Sequence, residues 1–225
     1  MSSFNRIQAV INLDNIRHNV SAMKSLVDEN KKMLAVIKAD AYGHGAVEVG
    51  RALDDMADYY AVAFLDEGIE LRKAGIDKPI LILGYTDPSD YMDLMRWDIR
   101  PAMYDVDEAQ QLSDDAVSMG KRAKIHIKVD TGMGRIGFTC DDAGVNNIEK
   151  IWKMPGIEIE GIFTHYAKAD EYDKTAANGQ LEKFRWINDR LAEIGIHIPV
   201  RHISNSAGIM EMDNSDFDMV RSGIV

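Results

Sequence analysis

The stretch Met33-Leu34-Ala35-Val36-Ile37-Lys38, continuing as Ala39-Asp40-Ala41-Tyr42-Gly43-His44-Gly45, is an apolar run that ends on a lysine and breaks into a glycine-flanked turn. Apolar residues over this length read as a buried strand. The same unit recurs downstream. Strands are expected at Met33–Lys38, Tyr60–Leu65, Pro79–Gly84, Arg100–Tyr104, Ala123–Asp130, Ile157–His165, Val200–Asn205 and Met219–Val225. Helical spacing fills the gaps at Ala46–Met56, Asp66–Ala74, Pro88–Trp97, Asp107–Met119, Ala143–Lys153, Gln180–Ile194 and, briefly, Ala207–Met212. Strands alternating with helices are the signature of parallel βαβ units, and eight of them predict an α/β fold of the TIM-type (β/α)8 barrel kind. A doubly wound open sheet shares this rhythm, because periodicity is silent on closure.

Outward from this alternation, residues Arg6 to Asp14 place Ile7, Ala9, Ile11 and Leu13 on one side, as a strand does. Asp14 then reads as the cap of a helix reaching about Asn30, with Ile16, Val20, Met23 and Val27 along one face. At the other end the eighth strand stops at Val225, in a fold that usually takes roughly 250 residues. The expectation is one domain over 1–225: a barrel preceded by one N-terminal strand and lacking its last helix.

Composition narrows the classes of function. The 225 residues are 46% hydrophobic, enough for one sizeable core, and the formal net charge of -11 argues against a general surface for nucleic acid or anionic membrane. Cys140 is the single cysteine, which excludes an intrachain disulfide and fits a reducing compartment. No apolar run approaches the roughly 20 residues of a membrane span, and no signal-peptide core opens the chain, so a soluble cytoplasmic protein is expected.

Barrels of this class place their chemistry at the carboxyl ends of the strands, and the unusual polar groups fall there. Lys38 ends the first strand, with Tyr42 in its loop. The fifth runs through Lys128-Val129-Asp130 into Thr131-Gly132-Met133-Gly134-Arg135, and the sixth ends Thr164-His165-Tyr166-Ala167. The seventh ends His202-Ile203-Ser204-Asn205-Ser206-Ala207-Gly208; the eighth is Val220-Arg221-Ser222-Gly223-Ile224. Each group has a plain reading: Lys38 reaching solvent, Arg135 solvated on a tight turn, His165 a hydrogen-bonded core residue, Ser206 a helix cap. Five strand ends collecting such groups by accident is the poorer account. A buried lysine pushed below its usual pKa of about 10.4 is a nucleophilic amine, able to form a Schiff base with an aldehyde such as pyridoxal 5'-phosphate (PLP).

The run from Ala35 to Gly45, KVDTGMGR from Lys128 to Arg135, THYA from Thr164, SNSAG from Ser204 and RSGI from Arg221 together resemble the alanine racemases over essentially the whole chain. The resemblance implies that Lys38 holds PLP and serves as one of two catalytic bases. It implies that Arg135 meets the ring's phenolic oxygen and the substrate carboxylate, and that Lys128 matches a position carbamylated in many relatives. Arg221 would face the pyridine nitrogen with His165 behind it. Tyr42, Ser206 and the N–H groups of Gly223 and Ile224 would hold the phosphate, with Asn205 adjoining. A permanent cation at the ring nitrogen disfavours protonation there, which suits rapid return of the α-proton. No metal is implied. In this family the second base is a tyrosine from a C-terminal β domain of the partner subunit. The resemblance therefore implies the N-terminal barrel of a homodimeric racemase of L- and D-alanine that serves peptidoglycan synthesis, with residues 1–13 contributing to the other domain's sheet.

Three other functions share parts of this pattern. A single-domain PLP-binding homeostasis protein suits the length but not the TGMGR, THYA and RSGI runs. A PLP-barrel decarboxylase would be expected to carry an acid where Arg221 stands. A metabolic barrel without PLP leaves Lys38 unexplained.

Overall fold

The computed structural model describes residues 8–213 and 217–223. Its strands are β1 (Lys32–Val36), β2 (Tyr59–Val62), β3 (Ile80–Ile82), β4 (Ile99–Met103), β5 (Ala123–Asp130), β6 (Phe138–Thr139), β7 (Ile157–Phe163), β8 (Val200–His202) and β9 (Met219–Ser222). Eight of them run in the order β8-β7-β5-β4-β3-β2-β1-β9, with β6 a short addition on β5, and all the pairings are parallel. Asp218 donates its amide to the Arg201 carbonyl and Arg221 donates to the Ser204 carbonyl, each at 2.9 Å. These two bonds join β9 to the β8 segment and bring the sheet round into a nearly closed barrel. The doubly wound alternative is thereby excluded.

Near-continuous Val/Ile/Leu runs suit strands covered on both faces. Leu34, Tyr60, Leu81, Ile125 and Ile162 are fully buried. Helices follow the strands at Ala46–Ala52, Leu65–Lys73, Tyr91–Arg96, Val106–Ser118, Asp142–Trp152, Thr175–Glu193 and Ser206–Glu211, each overlapping its expected segment. Arg72 ties the amino-terminal rim together, donating to the carbonyls of Trp97, Ile76, Lys78 and Asp98 at 2.7–2.9 Å.

The chain's opening departs from expectation. Arg6 and Ile7 lie outside the described residues, and Gln8 to Asn12 form no strand. The cap of the first helix is Asn12, whose Oδ1 accepts from the Asn15 amide at 3.1 Å, and the helix spans Leu13–Lys24. Asp14 is instead an acidic first-turn residue, and the helix stops six residues short of Asn30 because Ser25, Leu26 and Val27 turn back onto it with i−3 and i−4 bonds. This helix packs against Ala46–Ala52 and Ser206–Glu211. It thus covers the β9–β1 side of the barrel.

Candidate active site

Lys38 follows β1 and is half-buried; the buried lysine of the site is Lys128, at 2% exposure. The segment after Lys38 is not an ordinary turn. Ala39, Asp40, Ala41 and Tyr42 all have φ between 51 and 56°, one turn of left-handed helix made without glycine. L-residues resist this conformation by roughly 1–2 kcal/mol each, so side chains must hold it. Glu67 accepts from the Ala39 amide at 2.7 Å through one oxygen and from the Ala63 amide at 2.6 Å through the other. Asp40 accepts from the Ala46 amide at 2.7 Å. Gly43 and Gly45 complete the segment at φ 85 and 90°.

The left-handed turn carries Tyr42 to the end of β9. An ideal Cβ on Gly223 would lie 3.1 Å from the Tyr42 hydroxyl and 3.3 Å from Val36 Cβ. Ser206 Oγ accepts from the Gly223 amide at 3.0 Å. Asn205, not Ser206, caps the helix after β8, its Oδ1 accepting from the Gly208 amide at 2.9 Å. Ser206 is thereby free to turn toward Gly223. Tyr42, Ser206 and Gly223 therefore share one corner, while Ile224 lies outside the described residues.

Across the mouth, the loop after β5 is shaped by Asp130. Its carboxylate accepts from the amides of Gly132, Met133 and Gly134 at 2.9–3.1 Å. Burial works against the charge, but these amides hold the carboxyl below its usual range. Gly137 is obligatory here: φ is 130°, and a Cβ would stand 2.6 Å from the Asp130 nitrogen. The loop presents Arg135 exposed to solvent.

Lys128 Nζ donates to the carbonyls of Val129 at 2.6 Å and Ile136 at 3.2 Å, and lies 5.5 Å from the centre of the Phe163 ring. Burial, then the charge of Arg221, pushes its ammonium down to about 8. The buried guanidinium of Arg221 has no carboxylate partner among the described residues. It donates to the Thr164 and Ile203 carbonyls at 2.8 Å, to His202 Nδ1 at 2.9 Å and to His165 Nδ1 at 3.2 Å. Burial, then the Arg135 charge, lowers it to about 9, still a cation at neutral pH. Burial, then the charges of Arg221, Arg135, Lys128 and Lys38, push His165 down to about 3, which keeps it neutral.

Sequence reasoning passed over the supports of these groups. Gln180, buried in the first turns of its helix, donates to Thr131 Oγ1 at 3.1 Å and the His165 carbonyl at 2.9 Å, and accepts from the Ala167 amide at 2.9 Å. It locks the loop after β7 to the end of β5. His126, Glu160 and His202 also lie inside the barrel. Polar residues at inward positions of strands were the signal that could have found them.

Fold and pocket together define a (β/α)8 barrel with a cation-lined site at the carboxyl ends of its strands. The family model for the alanine racemase N-terminal domain matches residues 11–225, and the chain belongs to that family. An alanine racemase of Clostridium perfringens (strain SM101 / Type A) is 46% identical over 220 residues, covering 97% of this chain and 57% of the relative. One from Desulforamulus reducens is 44% identical, covering 97% and 60%. Among solved structures, an alanine racemase of Clostridium difficile 630 superposes with a TM-score of 0.92 at 45% identity, over 95% of this chain and 59% of that one. The Bacillus anthracis enzyme with bound L-Ala-P gives 0.85 at 34% identity, over 95% and 55%. The chain thus spans a little over half the length of these relatives.

Proposed function

We propose that this chain is the PLP-binding barrel of an alanine racemase, the two-base enzyme that interconverts L- and D-alanine and supplies D-alanine for peptidoglycan in the cytoplasm. Arg221 carries the reading. A buried guanidinium with neutral partners is the opposite of the carboxylate that a PLP decarboxylase of this barrel type would be expected to present. Its Nε–H has no partner among the described residues. That free donor suits the lone pair of an unprotonated ring nitrogen.

The other groups fit the same cofactor. The missing side chain of Gly223, beside the Tyr42 hydroxyl and Ser206 Oγ, leaves a polar corner for a phosphate. Tyr42, Ser206 and the amides of Gly223 and Ile224 would hold that phosphate, with Asn205 fixing the helix that presents Ser206. Lys38 would carry the cofactor's aldehyde carbon, and Arg135 would meet its phenolic oxygen. When bound, the cofactor supplies the electron sink that acidifies the substrate's α-carbon.

This chain's residues then divide the work. Lys38 Nζ takes the α-proton from one face and returns it there. Arg135 orients the substrate carboxylate with its planar fork. Arg221, kept cationic, denies the ring nitrogen a proton, and neutral His165 supports it by accepting from Nη2. Lys128 is buried beneath the loop that bears Arg135, and an ammonium lowered to about 8 frees more of its neutral amine, which would add to carbon dioxide to give a carbamate with release of one proton to water. The resulting anion would fix Arg135. The base for the other face comes from the partner subunit's β domain in a homodimer with shared sites.

Borohydride reduction of the PLP-loaded chain followed by peptide mapping tests the reading. The adduct should lie on Lys38. Reduction onto Lys128 or a surface lysine would overturn it.

A further inference from the structure

Beneath Arg221 a line of side chains crosses the barrel toward its amino-terminal end. Arg221 Nη1 lies 2.9 Å from His202 Nδ1, His202 Nε2 lies 2.9 Å from His126 Nδ1, and His126 Nε2 lies 3.2 Å from Glu160 Oε2. Both imidazoles are fully buried, and the Glu160 side chain is 14% exposed. Arg100, buried against Asp98, closes the far end with Nε 3.2 Å from Glu160.

The two ends leave the rings one arrangement. Guanidinium can only donate, so His202 Nδ1 must accept and its proton sits on Nε2. That proton points at His126 Nδ1, which must accept in turn, so the His126 proton also sits on Nε2 and points at Glu160. An ionised carboxylate can only accept, so this end imposes the same direction. Glu160 is ionised: although burial opposes the charge, His126 and Arg100 bring its carboxyl down to about 2. Burial keeps both histidines below their usual range, hence neutral.

We propose that Glu160 is a positioning residue for Arg221, acting from the opposite end of the barrel by fixing the tautomers of His126 and His202. Without an acceptor at Glu160, the buried Nε2–H of His126 has nothing to accept it, a cost that offsets the pull from the Arg221 end and lets the Nδ1–H form of His126 compete. A proton on His126 Nδ1 faces the Nε2–H of His202. Relieving that conflict moves the His202 proton to Nδ1, against the guanidinium. Arg221 then loses the one partner of its Nη1 among the described residues, while Nη2 keeps its partners. The link from Arg221 to the cofactor rests on the function proposed above; the chain of tautomers does not.

Nitrogen-15 NMR of the histidine-labelled 225-residue chain reads the tautomers directly. His126 and His202 should both be Nε2–H in the native protein. Glu160→Leu should shift both toward Nδ1–H, whereas Glu160→Gln, which keeps an acceptor oxygen, should retain them. PLP affinity, read from absorbance, should fall about tenfold in Glu160→Leu and be largely restored in Glu160→Gln, the size of one lost hydrogen bond to a charged group. An Nδ1–H form at either ring in the native protein would overturn the proposal, as would unchanged tautomers in Glu160→Leu. Changed tautomers with unchanged PLP affinity would overturn the coupling to Arg221. Correct tautomers in a chain that forms no PLP adduct on Lys38 would instead count against the proposed function alone.

Discussion

Gly223 donates its amide to Ser206 Oγ at 3.0 Å, tying the end of β9 to the helix that follows β8. The Tyr42 hydroxyl closes over the same glycine from the turn after β1. Three separate strand ends meet there, and among the described residues the meeting point is lined by hydroxyls and an amide without an acidic side chain. A phosphate would find donors from all three.

Gly223→Ala tests this corner. The added methyl would stand 3.1 Å from the Tyr42 hydroxyl, tighter than ordinary contact, and Tyr42 is the neighbour best placed to yield because it is 37% exposed. Losing one bond to a charged phosphate should weaken PLP binding by about 10- to 100-fold. Thermal stability of the unloaded chain should change little. Unaltered PLP affinity by equilibrium titration would show that the phosphate lies elsewhere.

The left-handed turn makes a prediction of sign. Ala39 is exposed at φ 51°, so replacing it with glycine relieves a backbone clash and sacrifices no core contact. Ala39→Gly should leave stability unchanged or raise it by up to about 1 kcal/mol. Ala22→Gly, exposed in the right-handed helix Leu13–Lys24, should lower it by about 0.5–1 kcal/mol. Urea unfolding of the two variants side by side gives the comparison, and losses of equal size would contradict a left-handed Ala39.

Acid sensitivity should begin at the histidines. His126, His165 and His202 are all held below the ordinary 6.5, chiefly by burial. Below pH 6.5 the unfolded chain therefore binds protons that the native chain refuses, and stability rises with pH in this window. It is complete above 6.5 and declines below it by up to about 1.4 kcal/mol per histidine per pH unit. Glu160 has its own lower window: its contribution persists above 4.5 and disappears as pH falls toward about 2. Urea midpoints should hold between pH 7.5 and 6.5 and fall from there to 5.0. A flat profile over that range would mean the imidazoles are not buried in neutral form.

Much of this was legible in the chain because alternation and chemistry coincide. The strand segments from Met33 to Met219 are short and rich in apolar residues, and every helix that follows a strand overlaps its expected segment. The ends were harder to read. Nothing in Asp14 or Asn12 alone says which will cap the first helix, since both residue types serve; local backbone geometry chose Asn12. The strand after Val200 was drawn out to Asn205, but it stops at His202 in the structure.

The sequence by itself determined the order of strands and helices, the family, and the set of polar groups delivered to the carboxyl ends of the strands. These follow from local patterning and from short motifs. The tertiary structure decided which lysine is desolvated. Lys38 just follows β1 and Lys128 lies near the end of β5, yet only Lys128 is turned fully inward, against Phe163 and beneath the loop that Asp130 folds. It also decided that Ala39 to Tyr42 wind left-handed, because the bonds to Glu67 and Asp40 that offset the strain come from elsewhere in the fold. The line from Arg221 to Glu160 joins residues 19, 76 and 34 positions apart at its successive contacts. Only closure of the sheet, which turns alternate side chains of β5, β7, β8 and β9 into one interior, brings them within hydrogen-bonding distance.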